Sequence, residues 1–258
     1  MRHPFYVISH ERSGTHFLIN SILKNTNARG KKFLDHYNIG EWFGPYTHKD
    51  SQAQHIRKFF SRRVFFGYRH SVIKSHADKD LFCAYYKPFP VIYITRDPRD
   101  VMVSLFHHQR HKTTREYLEN HNPQLRCHAY DTIGEFLKAP ISSYLRHCYS
   151  LKGESGNVVQ RWARHIQGWQ GYWGEIFFVR FEDLKRDFVA TMTKVAAFLD
   201  ISLKADIAPV GLHDMPSIMP RKGIVGDWQN HFSSQDEAFL KKEIESQGLI
   251  WTSMIDNK

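Results

Sequence analysis

The chain has 258 residues, 41% of them hydrophobic and 14% aromatic, enough to bury one α/β core or two small ones and too apolar for a disordered protein. Lys and Arg number 36 against 26 Asp and Glu, a formal charge of +10 that implies an anionic partner without choosing between a nucleic acid and a small polyanion. Three scattered cysteines, Cys83, Cys127 and Cys148, argue against a disulfide framework and for a reducing compartment. No basic-then-apolar leader precedes the first strand, and no run of about 18 apolar residues is present to span a bilayer, so a soluble, cytoplasmic protein without membrane contact is expected.

In chain order, short apolar runs predict strands at 5–9, 64–68, 90–95 and 175–180. Helical spacing predicts helices at 14–25, 51–60, 98–110, 132–138, 157–172, 187–199 and 235–247. Strands alternating with helices indicate an α/β fold, a central parallel sheet flanked by helices, within a single domain over 1–258. The stretches 27–50, 111–130 and 203–234 read as irregular, and loops of such length in a compact domain usually carry function. Trp162, Trp169 and Trp173 read as core of the helix that precedes the strand at 175–180.

Between the first strand and the first helix lies a polar turn, His10-Glu11-Arg12-Ser13-Gly14. A strand, a glycine turn and a helix make an anion site: free N–H groups at the helix start point outward and the helix dipole adds positive charge. Ser13 and Thr15 supply hydroxyls, Gly14 lets the backbone approach a ligand, and Arg12 adds a charged fork. The nucleotide-triphosphatase loop G-x-x-x-x-G-K-[ST] is not matched, because Ser9 replaces its first Gly and His16 does not supply its Lys/Ser pair. The plain alternative is a capped helix with a tight turn.

"VIYITRDPRDVMVSLFHH", 91–108, repeats the strand–turn–helix pattern. Arg96 stands where the strand ends and Ser104 eight residues on, so that both can reach one phosphate; Asp97 or Asp100 is a candidate helix cap and Pro98 suits the first turn. "PRKGIVGDWQNHF", 220–232, has no strong period, and its Arg221-Lys222-Gly223 suits folding over an anion. In "VIKSHAD", 72–78, Lys74 and His76 share one face if the segment is extended. His107 and His111 in "HHQRH" are four apart, as in a zinc site, but no third ligand is evident nearby and a helix end is the preferred reading.

Taken together, Arg12-Ser13-Gly14-Thr15, Lys74-Ser75-His76, Arg96 with Ser104, "RFEDL" at 180–184 and "RKGIVGDW" at 221–228 resemble the cytosolic-type sulfotransferases that use 3′-phosphoadenosine-5′-phosphosulfate (PAPS). The resemblance runs from residue 5 to about 247 and implies that family's nucleotide-kinase-like fold. It implies that Arg12, Ser13, Gly14, Thr15, His16 and Phe17 bind the 5′-phosphosulfate and adenine side. Phe181 would flank the adenine, Arg96 and Ser104 would hold the 3′-phosphate, and Arg221, Lys222 and Gly223 would close over that phosphate. Phe17 and Phe181 stand where the family usually has Trp and Tyr, Arg12 replaces its lysine, and Gln229 stands where many members have Lys. "QNHFSSQDEA", 229–238, matches the family's dimer segment poorly, so a monomer or weak homodimer is expected.

The implied reaction is direct in-line sulfuryl transfer to a hydroxyl (or amine) of a small-molecule acceptor, with PAP as the other product. His76 acts as general base, Arg12 and Lys74 stabilise developing charge, and no metal is required. The acceptor pocket would be lined from the irregular segments 27–50, 78–88 and 111–130, whose aromatics include Phe33, Tyr37, Trp42, Phe43, Tyr46, Tyr85 and Tyr86. The rival readings are a nucleotide-dependent kinase or other phosphotransferase of related fold, and a nucleic-acid-binding module. The missing Gly-Lys-Ser/Thr loop weighs against the first and the lack of basic clustering against the second.

Overall fold

The computed structural model describes residues 4–28, 34–35, 72–85, 88–110, 130–142, 155–211 and 222–255. In chain order these form β1 (Phe5–Ile8), α1 (Thr15–Asn25), β2 (Leu34–Asp35), β3 (Val72–Ser75), α2 (Lys79–Tyr85), β4 (Val91–Thr95) and α3 (Pro98–Arg110). There follow α4 (Ile133–Lys138), α5 (Val158–Gln170), β5 (Ile176–Arg180), α6 (Phe181–Arg186), α7 (Phe188–Leu199), a 3₁₀ turn (Asp227–Asn230), α8 (Ser234–Ser246) and α9 (Trp251–Met254). The chain divides into two compact units, Met1–Thr95 with Gly171–Gly223, and Arg96–Gln170 with Ile224–Lys258.

The first unit holds a five-stranded parallel sheet in the order β2-β3-β1-β4-β5. Strands β1 and β4 are apolar at nearly every position because both faces are covered, as is usual for parallel pairing. Phe5, Val7, Val72, Ile92, Ile94 and Val179 share one face, where they pack with Leu18, Ile19 and Ile22 of α1 and Met192, Val195 and Leu199 of α7. Each such side chain contributes about 1.5–3 kcal/mol on burial. On the opposite face Tyr6 meets Phe82 of α2 edge-on, with ring centroids 4.8 Å apart. The second unit is helical. Its buried side chains include Val101, Met102 and Leu105 of α3, Phe136 of α4, Trp162, Ile166 and Trp169 of α5, and Leu240 and Ile244 of α8. Ser233 and Asp236 form a capping box that starts α8.

The expected strands at 5–9, 90–95 and 175–180 and the helices at 14–25, 98–110, 132–138, 157–172, 187–199 and 235–247 are present with small boundary shifts. The strand at 64–68 and the helix at 51–60 lie outside the described residues. The segment 72–75, whose extension the sequence left open, is a strand, β3, made so by pairing on both sides, since four residues with two polar ones carry little periodicity. Four expectations are corrected. Residues 34–35, within the stretch 27–50 expected irregular, form β2 by pairing with β3. Residues 78–88, expected irregular, contain α2, whose seven residues are too few for a helical period to declare itself. Residues 203–234 contain the 3₁₀ turn. Trp162 and Trp169 are core, but Trp173 is 79% exposed, because α5 ends at Gln170 and the chain leaves the helical spacing before reaching it. Among the described residues no helix is long and apolar enough to cross a membrane.

Candidate active site

β1 delivers the chain into the turn that the sequence singles out. Arg12 adopts φ 66°, a left-handed backbone rare for a side chain of this size, and Gly14 follows at φ 94° as the N-cap of α1. Strain at a non-glycine residue in such a turn costs on the order of 1–3 kcal/mol and points to a task for the loop. Gly14 offers no side chain to cap the first N–H groups of α1, and no acidic residue occupies its first turn. Between the two left-handed residues Ser13 is fully buried, and its Oγ has no hydrogen-bond partner among the described residues. A buried hydroxyl without a partner costs about 1–3 kcal/mol, and it sits where an anionic group at the helix start would accept from it. The residues therefore fit a phosphate or phosphosulfate group.

The aromatic residues expected on the adenine side also meet. Phe17 and Phe181 are edge-to-face with centroids 5.9 Å apart, and Phe188 lies 6.4 Å from Phe17. The Lys185 ammonium stands 5.3 Å from the centre of the Phe17 ring. The Phe181 ring packs so closely on Gly14 that a Cβ there would fall inside it.

The end of β1 is joined to the end of β3. His76 Nδ1 lies 2.8 Å from the Ser9 carbonyl oxygen and 3.2 Å from Ser9 Oγ, and Ser9 Oγ is 2.6 Å from Thr15 Oγ1. A carbonyl only accepts, so Nδ1 carries the proton and the neutral ring bears its lone pair on Nε2. One hydrogen-bonded chain thus runs from the imidazole to the first residue of α1. Lys74 is buried on β3, and alternation along the strand puts it on the same sheet face as Val72. Ser9 was not among the residues expected here; its place one residue beyond the first strand, beside the anion turn, was the available signal.

In the second unit Arg96 follows β4 in the chain and is buried, as is Ser104 two turns into α3. Arg96 Nη2 donates to the Ile224 carbonyl at 2.8 Å and lies 3.6 Å from Asp100 Oδ2. Of the two candidate caps, Asp97 does the work: its Oδ1 accepts the Arg99 N–H at 2.9 Å. Asp100 instead accepts from the N–H groups of Gly226 (2.8 Å) and Trp228 (3.0 Å). Burial pushes its carboxyl above the usual range, while Arg96 and those two N–H groups pull the other way. Burial likewise works against the charge on Arg99, but Asp97 and Glu237 outweigh it, and its guanidinium lies 3.8 Å above the Trp228 ring. Lys222 is exposed and Gly223 takes φ 62°, while Arg221 lies outside the described residues. His107 lies near the end of α3, the reading preferred over zinc, with its ring centroid 4.9 Å from that of His231, and His111 lies outside the described residues. Among the described residues no group of three metal-ligating side chains converges.

Residues 3–249 match the family described as the sulfotransferase domain, nearly the whole chain. The chain belongs to the sulfotransferase domain family. Rat sulfotransferase 2A1 is 26% identical to it over 91% of this chain and 81% of its own. Human sulfotransferase 2B1 is 31% identical over 58% of this chain and 42% of its own, and rabbit amine sulfotransferase 25% over 58% and 51%. Among solved structures, mouse sulfotransferase SULT7A1 complexed with PAP superposes with a TM-score of 0.60 at 21% identity, covering 95% of this chain and 84% of that one. Retinol dehydratase in complex with androsterone and PAP gives 0.54 at 18%, covering 95% and 80%. These two likenesses show the sulfotransferase fold, and family membership sets aside the kinase reading of the sequence.

Proposed function

We propose that this sulfotransferase moves a sulfuryl group from PAPS to a hydroxyl, or an amine, of a small-molecule acceptor, and that its two units act as one domain, as the family match across both supports. PAPS supplies the sulfuryl group already activated. The chain's own residues bind it, orient the acceptor and manage one proton. Ser13 Oγ, the N–H groups at the start of α1 and the Arg12 guanidinium receive the phosphosulfate, and Phe17 and Phe181 flank the adenine. His76 takes the acceptor's proton on Nε2, the nitrogen left basic by the hydrogen bond from Nδ1–H to Ser9. Arg12 and Lys74 offset the charge that develops on the oxygen left behind on the nucleotide. Arg96, Ser104 and the Arg221-Lys222-Gly223 segment bind the 3′-phosphate, the group that separates this nucleotide from ATP, and no step calls for a metal.

The observation that carries the reading is the hydrogen-bonded chain His76–Ser9–Thr15, which ties a tautomer-fixed base to the helix start beside an orphaned buried hydroxyl. The name of one relative, an amine sulfotransferase, supports the amine class of acceptor. A cytoplasmic location and a monomer or weak dimer complete the proposal. Incubation with sulfur-labelled PAPS and a panel of hydroxylated and amine metabolites, with EDTA present, is expected to transfer label to at least one acceptor. Label transfer that depends strictly on added magnesium would overturn the mechanism.

A further inference from the structure

We propose that Asp100 is a positioning residue for recognition of the 3′-phosphate: its carboxylate braces the Arg96 guanidinium and the 224–228 segment together. The inference rests on the reading of Arg96 as a ligand of that phosphate.

Asp100 is the third residue of α3, where an acidic side chain ordinarily caps or complements its own helix. That task is already done by Asp97, whose Oδ1 takes the Arg99 N–H. Asp100 has no solvent exposure, and each of its oxygens accepts from a different main-chain donor, Oδ2 from Gly226 and Oδ1 from Trp228. The two donors flank Asp227, and Gly226 between Val225 and the 3₁₀ turn is held at φ 84°. One carboxylate therefore sets the bend at Gly226 by which the chain enters that turn. From the same place it lies 3.6 Å from Arg96 Nη2, while Nη2 donates to the Ile224 carbonyl. The guanidinium is thus held between a carboxylate at the start of α3 and a carbonyl of the segment that the carboxylate holds.

Stability alone does not account for this arrangement. The carboxylate is buried at a cost large enough to raise its proton affinity despite the adjacent arginine, and an apolar side chain of similar volume commonly serves a fold as well or better. What the ion supplies is preorganisation. Without it, ligand binding itself would have to order Arg96 and the 224–228 segment, and the loss would fall on whichever ligand group those residues touch.

The test compares adenosine 3′,5′-bisphosphate (PAP) with adenosine 5′-monophosphate, which differs only in lacking the 3′-phosphate. Calorimetry of Asp100→Asn is expected to show PAP binding weakened about tenfold or more, with 5′-monophosphate binding unchanged, so that the preference for PAP collapses. Equal weakening of both ligands would mark a merely structural residue and overturn the proposal, as would unchanged affinity for both. Arg96→Ala is measured alongside. If it leaves the PAP preference intact, the reading of Arg96 and this inference fall together. If it abolishes the preference while Asp100→Asn does not, only the inference falls. Should Asp100→Asn not fold, Asp100→Ser is measured by the same criterion, and failure of both to fold would make Asp100 a folding element and refute the proposal.

Discussion

His76, the general base of the proposed mechanism, shows how little of such a role is the side chain's own chemistry. An unperturbed imidazole is half-protonated near pH 6.5 and has two equivalent candidates for the basic nitrogen. The Ser9 carbonyl removes that ambiguity by taking the Nδ1 proton, and Ser9 Oγ carries the connection on to Thr15. His76→Ala is expected to lower turnover about 10²–10⁴-fold while PAP binding by calorimetry stays at the wild-type value, because the ring serves the acceptor rather than the nucleotide. Wild-type turnover in this variant would remove His76 from the mechanism. At the same scale, Asp97 and Asp100 looked interchangeable as caps in sequence, three residues apart at the start of one helix. They were separated by where the 224–228 segment passes, which is a tertiary fact.

The turn between β1 and α1 is the element on which the site is built, and Gly14 is constrained twice within it. Its φ of 94° disfavours any Cβ, and the Phe181 ring occupies the space a Cβ would need. Gly226 shares the first constraint at φ 84° but not the second, since nothing lies within 4 Å of its would-be Cβ. Gly226→Ala is therefore expected to cost only the left-handed penalty, about 1–2 kcal/mol. Gly14→Ala should lower the urea midpoint further and also weaken PAP binding, because Phe181 must leave both Gly14 and the adenine side. Equal midpoints for the two variants would contradict the packing argument. The β1–α1 and β4–α3 elements were legible because each is a long apolar period broken by a short polar turn. β3 and α2 were not, being four and seven residues whose structure depends on neighbours distant in sequence.

Across the whole molecule the charge of +10 matches a ligand that carries anions at both ends of its ribose better than a duplex, given that the basic residues are dispersed along the chain. A ligand bound only by the native state stabilises it by mass action, about 2.7 kcal/mol at a concentration 100-fold above its dissociation constant. PAP is accordingly expected to raise the melting temperature more than ATP at equal concentration, and the gap should narrow with added salt. An equal or larger shift with ATP would point away from 3′-phosphate recognition.

The amino-acid order alone determined the alternation of strands and helices, the parallel α/β class, the boundaries of the longer helices and the order of the motifs that carry the family resemblance. These are local matters of apolar spacing, turn chemistry and motif sequence, read without knowing what packs on what. The strand character of 72–75, the exposure of Trp173, the tautomer of His76 and the partners of Asp100 were decided by tertiary structure. The exposure of Trp173 follows from where α5 stops; the other three depend on contacts across dozens of residues, specified by geometry that no local pattern encodes.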